Sequence, residues 1–171
     1  MDKLRRRKMS KTENGPMPTD TNKHPRKFNK YFQIRWNEKI GRPECPYMRR
    51  WVFHFWLFSI RLHQWYRSDD RRYLHDHPWS FVTFVLKGQY TDVSEGEKEG
   101  ERIKETLPAG YIRYRPAEHR HYVNVPKEGC WTLLLTGRHK RNWGFYIPGR
   151  DKLMRPLRFF SKYGYPPCDE Q

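Results

Sequence analysis

The chain is 171 residues long, enough for one hydrophobic core and short for two. Lys and Arg outnumber Asp and Glu by 35 to 19, a formal charge of +16, and residues 1–30 alone hold ten basic groups against three acidic ones. No apolar run follows the basic start Arg5–Lys8, and the longest apolar stretch, Trp51–Ile60, is broken by His54 and Ser59 at about half the length a bilayer needs, so neither a secretory leader nor a membrane span is expected.

The expectation is therefore a cytoplasmic protein that does not enter a membrane. Cys45, Cys130 and Cys168 are odd in number, widely spaced and never in a C-x-x-C pair, which reads as reduced thiols. Apolar residues make up 36% and aromatics 16%, so the core is built from few, large side chains.

In chain order, residues 1–30 are polar, basic and broken by Pro16, Pro18 and Pro25, and read as a disordered arm. The folded unit is expected over 31–148, with 149–171 as a C-terminal extension. Gly41–Pro46 carries turn chemistry, and a β segment dense in aromatic and β-branched residues covers Trp51–Tyr66. After a charged turn at Ser68–Arg71 come β segments at Tyr73–Leu86, Arg102–Thr106, Tyr111–Arg115, His119–Val125, Trp131–Leu135 and Trp143–Ile147, with a polar hairpin tip around Ser94–Gly100. Six or more short strands at this spacing predict an all-β sandwich or barrel. A helix over Gly149–Tyr163 is opposed by Pro156 and Gly164.

Four of the eight histidines form two H-x-H pairs, His75/His77 and His119/His121, each on an expected strand. Residues two apart on a strand share a face about 6 to 7 Å apart, so two imidazoles can meet one metal. Imidazole suits zinc, iron, copper and nickel, whereas calcium and magnesium want oxygen.

The segment His75–Gly88 (HDHPWSFVTFVLKG) resembles the first cupin motif: H-x-H, three or four residues, Glu, six residues, Gly. Gly110–Asn124 (GYIRYRPAEHRHYVN) resembles the second, with Gly110, Pro116 and His121 in register and Glu118 and Asn124 departing from it. The likeness spans roughly residues 73–135 and implies a cupin-type double-stranded β-helix, a jelly-roll barrel. It implies a metal held by His75, His77 and His121, with His119 as a candidate fourth ligand, and many cupins are dimers, so a homodimer is expected by resemblance. The Glu position falls on Phe81, which shares the parity of the ligands and is expected to line the pocket with Trp79.

A three-histidine set without the carboxylate is similar to that of thiol dioxygenases within the superfamily. The resemblance therefore implies Fe(II), with zinc as the alternative, and a dioxygenase acting on a small polar substrate. Two other readings stand beside it: a sugar-nucleotide isomerase or epimerase with a histidine as general base, and a non-catalytic module with a structural zinc. In that last reading the basic arm and the 138–143 loop, with Arg138, Lys140, Arg141 and Trp143, contact nucleic acid. Arg61 and Arg113, cationic on expected strands, are candidates for clamping a carboxylate or phosphate; Asp76 is expected to face away from the metal.

Overall fold

The computed structural model describes residues 31–98, 100–149, 153–166 and 168; the arm over 1–30 lies outside them. Nine strands make two antiparallel sheets: β1 (Phe32–Arg42), β2 (Cys45–Phe55), β3 (Ser59–Trp65), β4 (Phe81–Lys87), β5 (Gln89–Glu95), β6 (Arg102–Pro108), β7 (Ile112–Arg115), β8 (His121–Asn124) and β9 (Cys130–Thr136). One sheet has the order β1-β2-β3-β9-β4-β7 and the other β6-β5-β8. β4 pairs with β9 in the larger sheet and β5 with β8 in the smaller, around the consecutive strands β6 and β7. First with last and second with second-last is the nesting of a jelly roll, so the all-β double-stranded β-helix is the observed fold.

Period-2 alternation decides what each face carries. On the larger sheet one row runs in register through Arg35, Val52, Arg61, Leu134, Thr83 and Arg113, and the next through Glu38, Arg50, His63, Thr132 and Val85. These inward rows are largely polar and basic. The outward rows are apolar: Ile34, Phe53, Ile60, Leu135, Val82 and Tyr114 in one, and Trp51, Leu62, Leu133, Phe84 and Ile112 in the next. The core between the sheets is small, with Val85, Tyr90, Leu107, Val123, Val125 and Cys130 buried and Trp65 packed against them.

Several expected segments end differently. The Trp51–Tyr66 segment is a hairpin rather than one strand: Phe55 donates its N–H to the Phe58 carbonyl at 2.8 Å and the two rings stack at 4.8 Å, so the turn forms without the Gly or Pro that would announce it. Tyr73–Leu86 is a strand only from Phe81, and Trp143–Ile147 contributes a single bridge residue, Phe145, between His75 and Met154. The C-terminal helix exists as α1 (Pro156–Tyr163). Pro156 opens its first turn, where a missing N–H costs nothing, and Gly164 at φ 68° closes it by donating to Phe160 at 2.9 Å. Its fully buried Phe159 stacks on Phe145 at 3.9 Å, and with Met154 they form a second core beneath the histidine segment.

Gly88, which ends the first motif, turns β4 into β5 at φ +74°, and a Cβ there would stand 2.8 Å from the Gly129 carbonyl. The expectation of three reduced thiols is corrected: Cys45 on β2 and Cys168 near the C-terminus form a disulfide, with Cα atoms 5.7 Å apart. The two lie 123 residues apart, and nothing in local spacing brings them together. Cys130 is the free, buried thiol among the described residues. Among the described residues no helix is long and apolar enough to cross a membrane.

His63 is buried on β3 with neither ring nitrogen hydrogen-bonded among the described residues, and burial, helped by Arg50 and Arg61, pushes its pKa down to about 3. An unfolded histidine titrates near 6.5, so between those values the unfolded chain binds the extra proton. Stability is thus complete above about pH 6.5 and falls as the pH drops toward 3, by up to roughly 4 kcal/mol from this group. Denaturant titrations across that window should show His63→Phe with a flatter pH dependence than wild type.

Candidate metal centre

The site is assembled by a backbone clasp. His75 and His121 exchange both N–H···O=C bonds at 2.9 Å, which fastens the segment before β4 to the start of β8 and brings together residues 46 apart in sequence. His75 is thus in an isolated bridge, not in a regular strand, and His77 lies beyond it in the loop. The segment is held from below as well: Asp76 is fully buried, accepts from the Gly144 N–H at 2.9 Å and from the Tyr146 hydroxyl at 2.7 Å, and pairs with Arg141 at 3.0 Å. Asp76 faces away from the histidines, as its parity predicts.

One ring nitrogen each of His75, His77 and His121 lie within 4.8 Å of one another, and Nε2 of His77 is 2.8 Å from Nε2 of His121. Two imidazoles bound side by side on one metal at about 2.1 Å place their nitrogens about 3 Å apart, so this pair has the spacing of adjacent ligands. The donor set fits a first-row divalent ion. His75 is held down to about pKa 4, chiefly by burial and against the pull of Asp69; His77 is lowered well below its usual value by burial and by the other histidines. Both rings are therefore neutral near pH 7, the state in which imidazole is a ligand.

Behind His121 stands Asp92 on β5, 2% exposed. Its carboxylate accepts from His121 Nδ1 at 3.1 Å, from His119 Nε2 at 3.3 Å and from Arg115 Nε at 2.9 Å. Burial raises its pKa, but the hydrogen bonds from His119 and His121 outweigh that and hold it well below the usual carboxylate range. A carboxylate on Nδ1 fixes the His121 tautomer and leaves Nε2 for a metal. The carboxylate that Phe81 displaces from the first motif is thus not lost from the site; it enters from another strand, behind His121. His119 lies in the turn before β8 with its ring 4.8 Å from that of His121, but it groups with Asp92 and His121 rather than with His75 and His77, its own pKa lowered by burial.

Sequence reasoning missed Asp92 because no strand was expected between Leu86 and Arg102, where β5 lies, and a lone Asp carries no spacing signal. It likewise missed Asp69, whose Oδ2 is 3.9 Å from His75 Nε2 while it accepts from the Val123 N–H at 2.7 Å and from the Tyr47 hydroxyl. Tyr47 is half-buried, and its pKa is raised well above its ordinary value by burial and by Asp69.

Phe81 and Trp79 both flank His77: Phe81 at 4.8 Å between centroids and edge-on, Trp79 stacked at 5.1 Å and 18°. The Arg61 guanidinium lies 4.5 Å over the far ring, Trp79, and its pKa is lowered to about 10 by burial and by Arg50 and Arg35. Arg113, in contrast, is paired with Glu105. In the 138–143 loop, Arg138, His139 and Lys140 are exposed, while Arg141 is engaged by Asp76 and Trp143 packs against the Phe145 cluster.

Nested strand pairing around three converging imidazoles defines the class: the chain has the cupin-type double-stranded β-helix fold and carries a candidate metal-binding histidine cluster. Among solved structures it is similar to a Bacillus subtilis oxalate decarboxylase described for its Mn(II) centres, at 14% identity over 65% of this chain and 28% of that one, with a TM-score of 0.46. It is similar to the Fe(II) protein HppE at 15% identity over 61% and 56%, TM-score 0.47, and to a double-stranded β-helix protein of Klebsiella pneumoniae at 16% over 62% and 90%, TM-score 0.47. The chain thus spans little more than a quarter of the decarboxylase and about half of HppE. No protein-family model and no curated protein matches it.

Removing the charge of Asp92 leaves Arg115 and His121 without their common partner. Asp92→Asn is expected to lower unfolding free energy by about 3 kcal/mol in denaturant titrations. Nitrogen NMR of the metal-free wild type should show His121 protonated on Nδ1.

Proposed function

We propose that this protein is a non-haem Fe(II)-dependent oxygenase acting on a small anionic molecule. The observation that carries the reading is the convergence of His75, His77 and His121 with no carboxylate among the three, backed by Asp92 on the far nitrogen of His121. His75, His77 and His121 would hold the iron, which would supply a redox-active Lewis acid to dioxygen and substrate.

The chain's own residues do the rest. Asp92 holds His121 in the tautomer that a ligand needs. Burial keeps His75 and His77 unprotonated near pH 7. The Phe81 and Trp79 rings wall the His77 side and exclude water there. Arg61, without a carboxylate contact of its own among the described residues and carried on Trp79 beside His77, is placed to hold a substrate carboxylate or phosphate.

Purified protein should bind one Fe(II) per chain by elemental analysis, and His75→Ala, His77→Ala and His121→Ala should each retain less than about a tenth of it. Nitric oxide added anaerobically to the iron form should give a high-spin iron–nitrosyl EPR signal, which requires an open position. Full metal content in the three variants sinks the reading. A zinc-only protein, or an activity untouched by chelators, moves it to the module or isomerase class. With metal loaded, Arg61→Met should weaken binding of an anionic substrate roughly 10- to 100-fold.

A further inference from the structure

The disulfide carries a feature that a plain staple does not need: a guanidinium meets each of its sulfurs. Cys45 opens β2, is 5% exposed, and its Sγ accepts from Nη1 of the buried Arg67. Cys168 is half-buried, and its Sγ accepts at 2.8 Å from Nη2 of Arg42, the register partner of Cys45 on β1. A disulfide sulfur is neutral and a weak acceptor, so it does little for a cation. A thiolate in the same place accepts a charge-assisted bond. Cys130 shows the contrast: in the apolar core, burial alone pushes its thiol up to about 12. The two bridged sulfurs are set among donors that favour their ionised, reduced form.

We propose that Cys45–Cys168 is a site of reversible thiol–disulfide exchange with a dithiol reductant, and that the bridge latches the C-terminal segment to β2. The more exposed sulfur is the one attacked. The incoming thiolate forms a bond to Cys168 Sγ, the Cys45–Cys168 bond breaks, and its electron pair leaves on Cys45 Sγ, where Arg67 meets it. The reductant's second thiolate then attacks its own first sulfur. The mixed disulfide opens, and Cys168 leaves as a thiolate beside Arg42. The bridge takes up two electrons and two protons and becomes two thiols, while the dithiol becomes a disulfide.

The bridge follows directly on α1, which has attachments of its own. Phe159 stacks under Phe145 at 3.9 Å, and Arg72 donates to the Tyr163 and Gly164 carbonyls at 2.8 Å. Neither contact uses a sulfur, so the barrel and its second core stay folded when the bridge opens, and the segment after Gly164 loses its tie to β2. Helix α1 is then held at one side only. Opening a loop of 123 residues also returns a large conformational entropy to the unfolded chain, so the reduced form is the less stable one.

The test uses the full chain without metal, so its outcome is separate from that of the iron reading. Treatment with dithiothreitol under native conditions should open the bridge with near-UV circular dichroism retained and Tm lowered by about 10 °C. Trypsin should then cut after Arg158 or Lys162, both exposed on α1, roughly tenfold faster than in the oxidised chain. With glutathione, peptide mass spectrometry should find the mixed disulfide on Cys168 and not on Cys45. Arg67→Met, its bridge formed, should be reduced roughly tenfold more slowly than wild type. If that variant does not fold, Arg42→Met provides the second measure: it should accumulate the Cys168 adduct roughly tenfold over wild type. A glutathione adduct on Cys45 overturns the proposal, as does a reduction unaffected by both substitutions. A reduced protein that loses its near-UV signal makes the bridge a structural staple and overturns it too, and unchanged trypsin sensitivity overturns the latch.

Discussion

The reciprocal pair of backbone hydrogen bonds between His75 and His121 is the constraint on which the site depends. It joins the irregular segment leading into β4 to the first residue of β8, and a candidate ligand from each motif is therefore fixed by main chain rather than by side-chain packing. Everything around it serves to hold that segment still. Asp76 ties it to Gly144, Tyr146 and Arg141; Asp69 ties the preceding turn to β8 through the Val123 N–H; and Phe145, bridged to both His75 and Met154, rests on the α1 aromatic cluster. A cluster of three imidazoles is thereby held in place by charges that lie outside it.

The distribution of charge across the larger sheet explains both of its faces. Inward-facing arginines are tolerable only where anions or rings meet them, and the structure supplies Glu38 for Arg50, Glu105 for Arg113, Asp92 with Glu105 for Arg115, and Trp79 for Arg61. Arg61 alone in that set is met by a ring and not by a carboxylate, and it stands next to the histidines. The same alternation that turns the arginines inward turns the tryptophans and leucines outward, so a basic barrel interior and an apolar exterior are two results of one register.

The C-terminal segment is integral to the site rather than an appendage to the barrel. Phe159 fills the space under Phe145, Arg72 donates to the carbonyls of Tyr163 and Gly164 at 2.8 Å, and the disulfide to Cys45 fastens the chain end to β2. The first two of these contacts bear on the 66–80 segment, through Phe145 bridged to His75 and through Arg72, and the third bears on β2.

The sequence by itself determined the all-β class, most of the strands from β4 onward and the three histidines that converge, because period-2 alternation, turn residues and H-x-H spacing are local signals. It also placed Phe81 and Trp79 beside His77, from parity and proximity alone. Only the tertiary structure decided that His75 and His77 leave the regular strand, that His119 turns to Asp92 instead of joining the other three, and that Asp92 and Asp69 supply the carboxylates. Those residues meet the histidines across sheets and loops, through pairings that no spacing within a single segment encodes. The Cys45–Cys168 bridge and the hairpin at Trp56–Phe58 were illegible for the same reason: long-range closure formed the first, and stacked phenylalanines rather than Gly or Pro made the second.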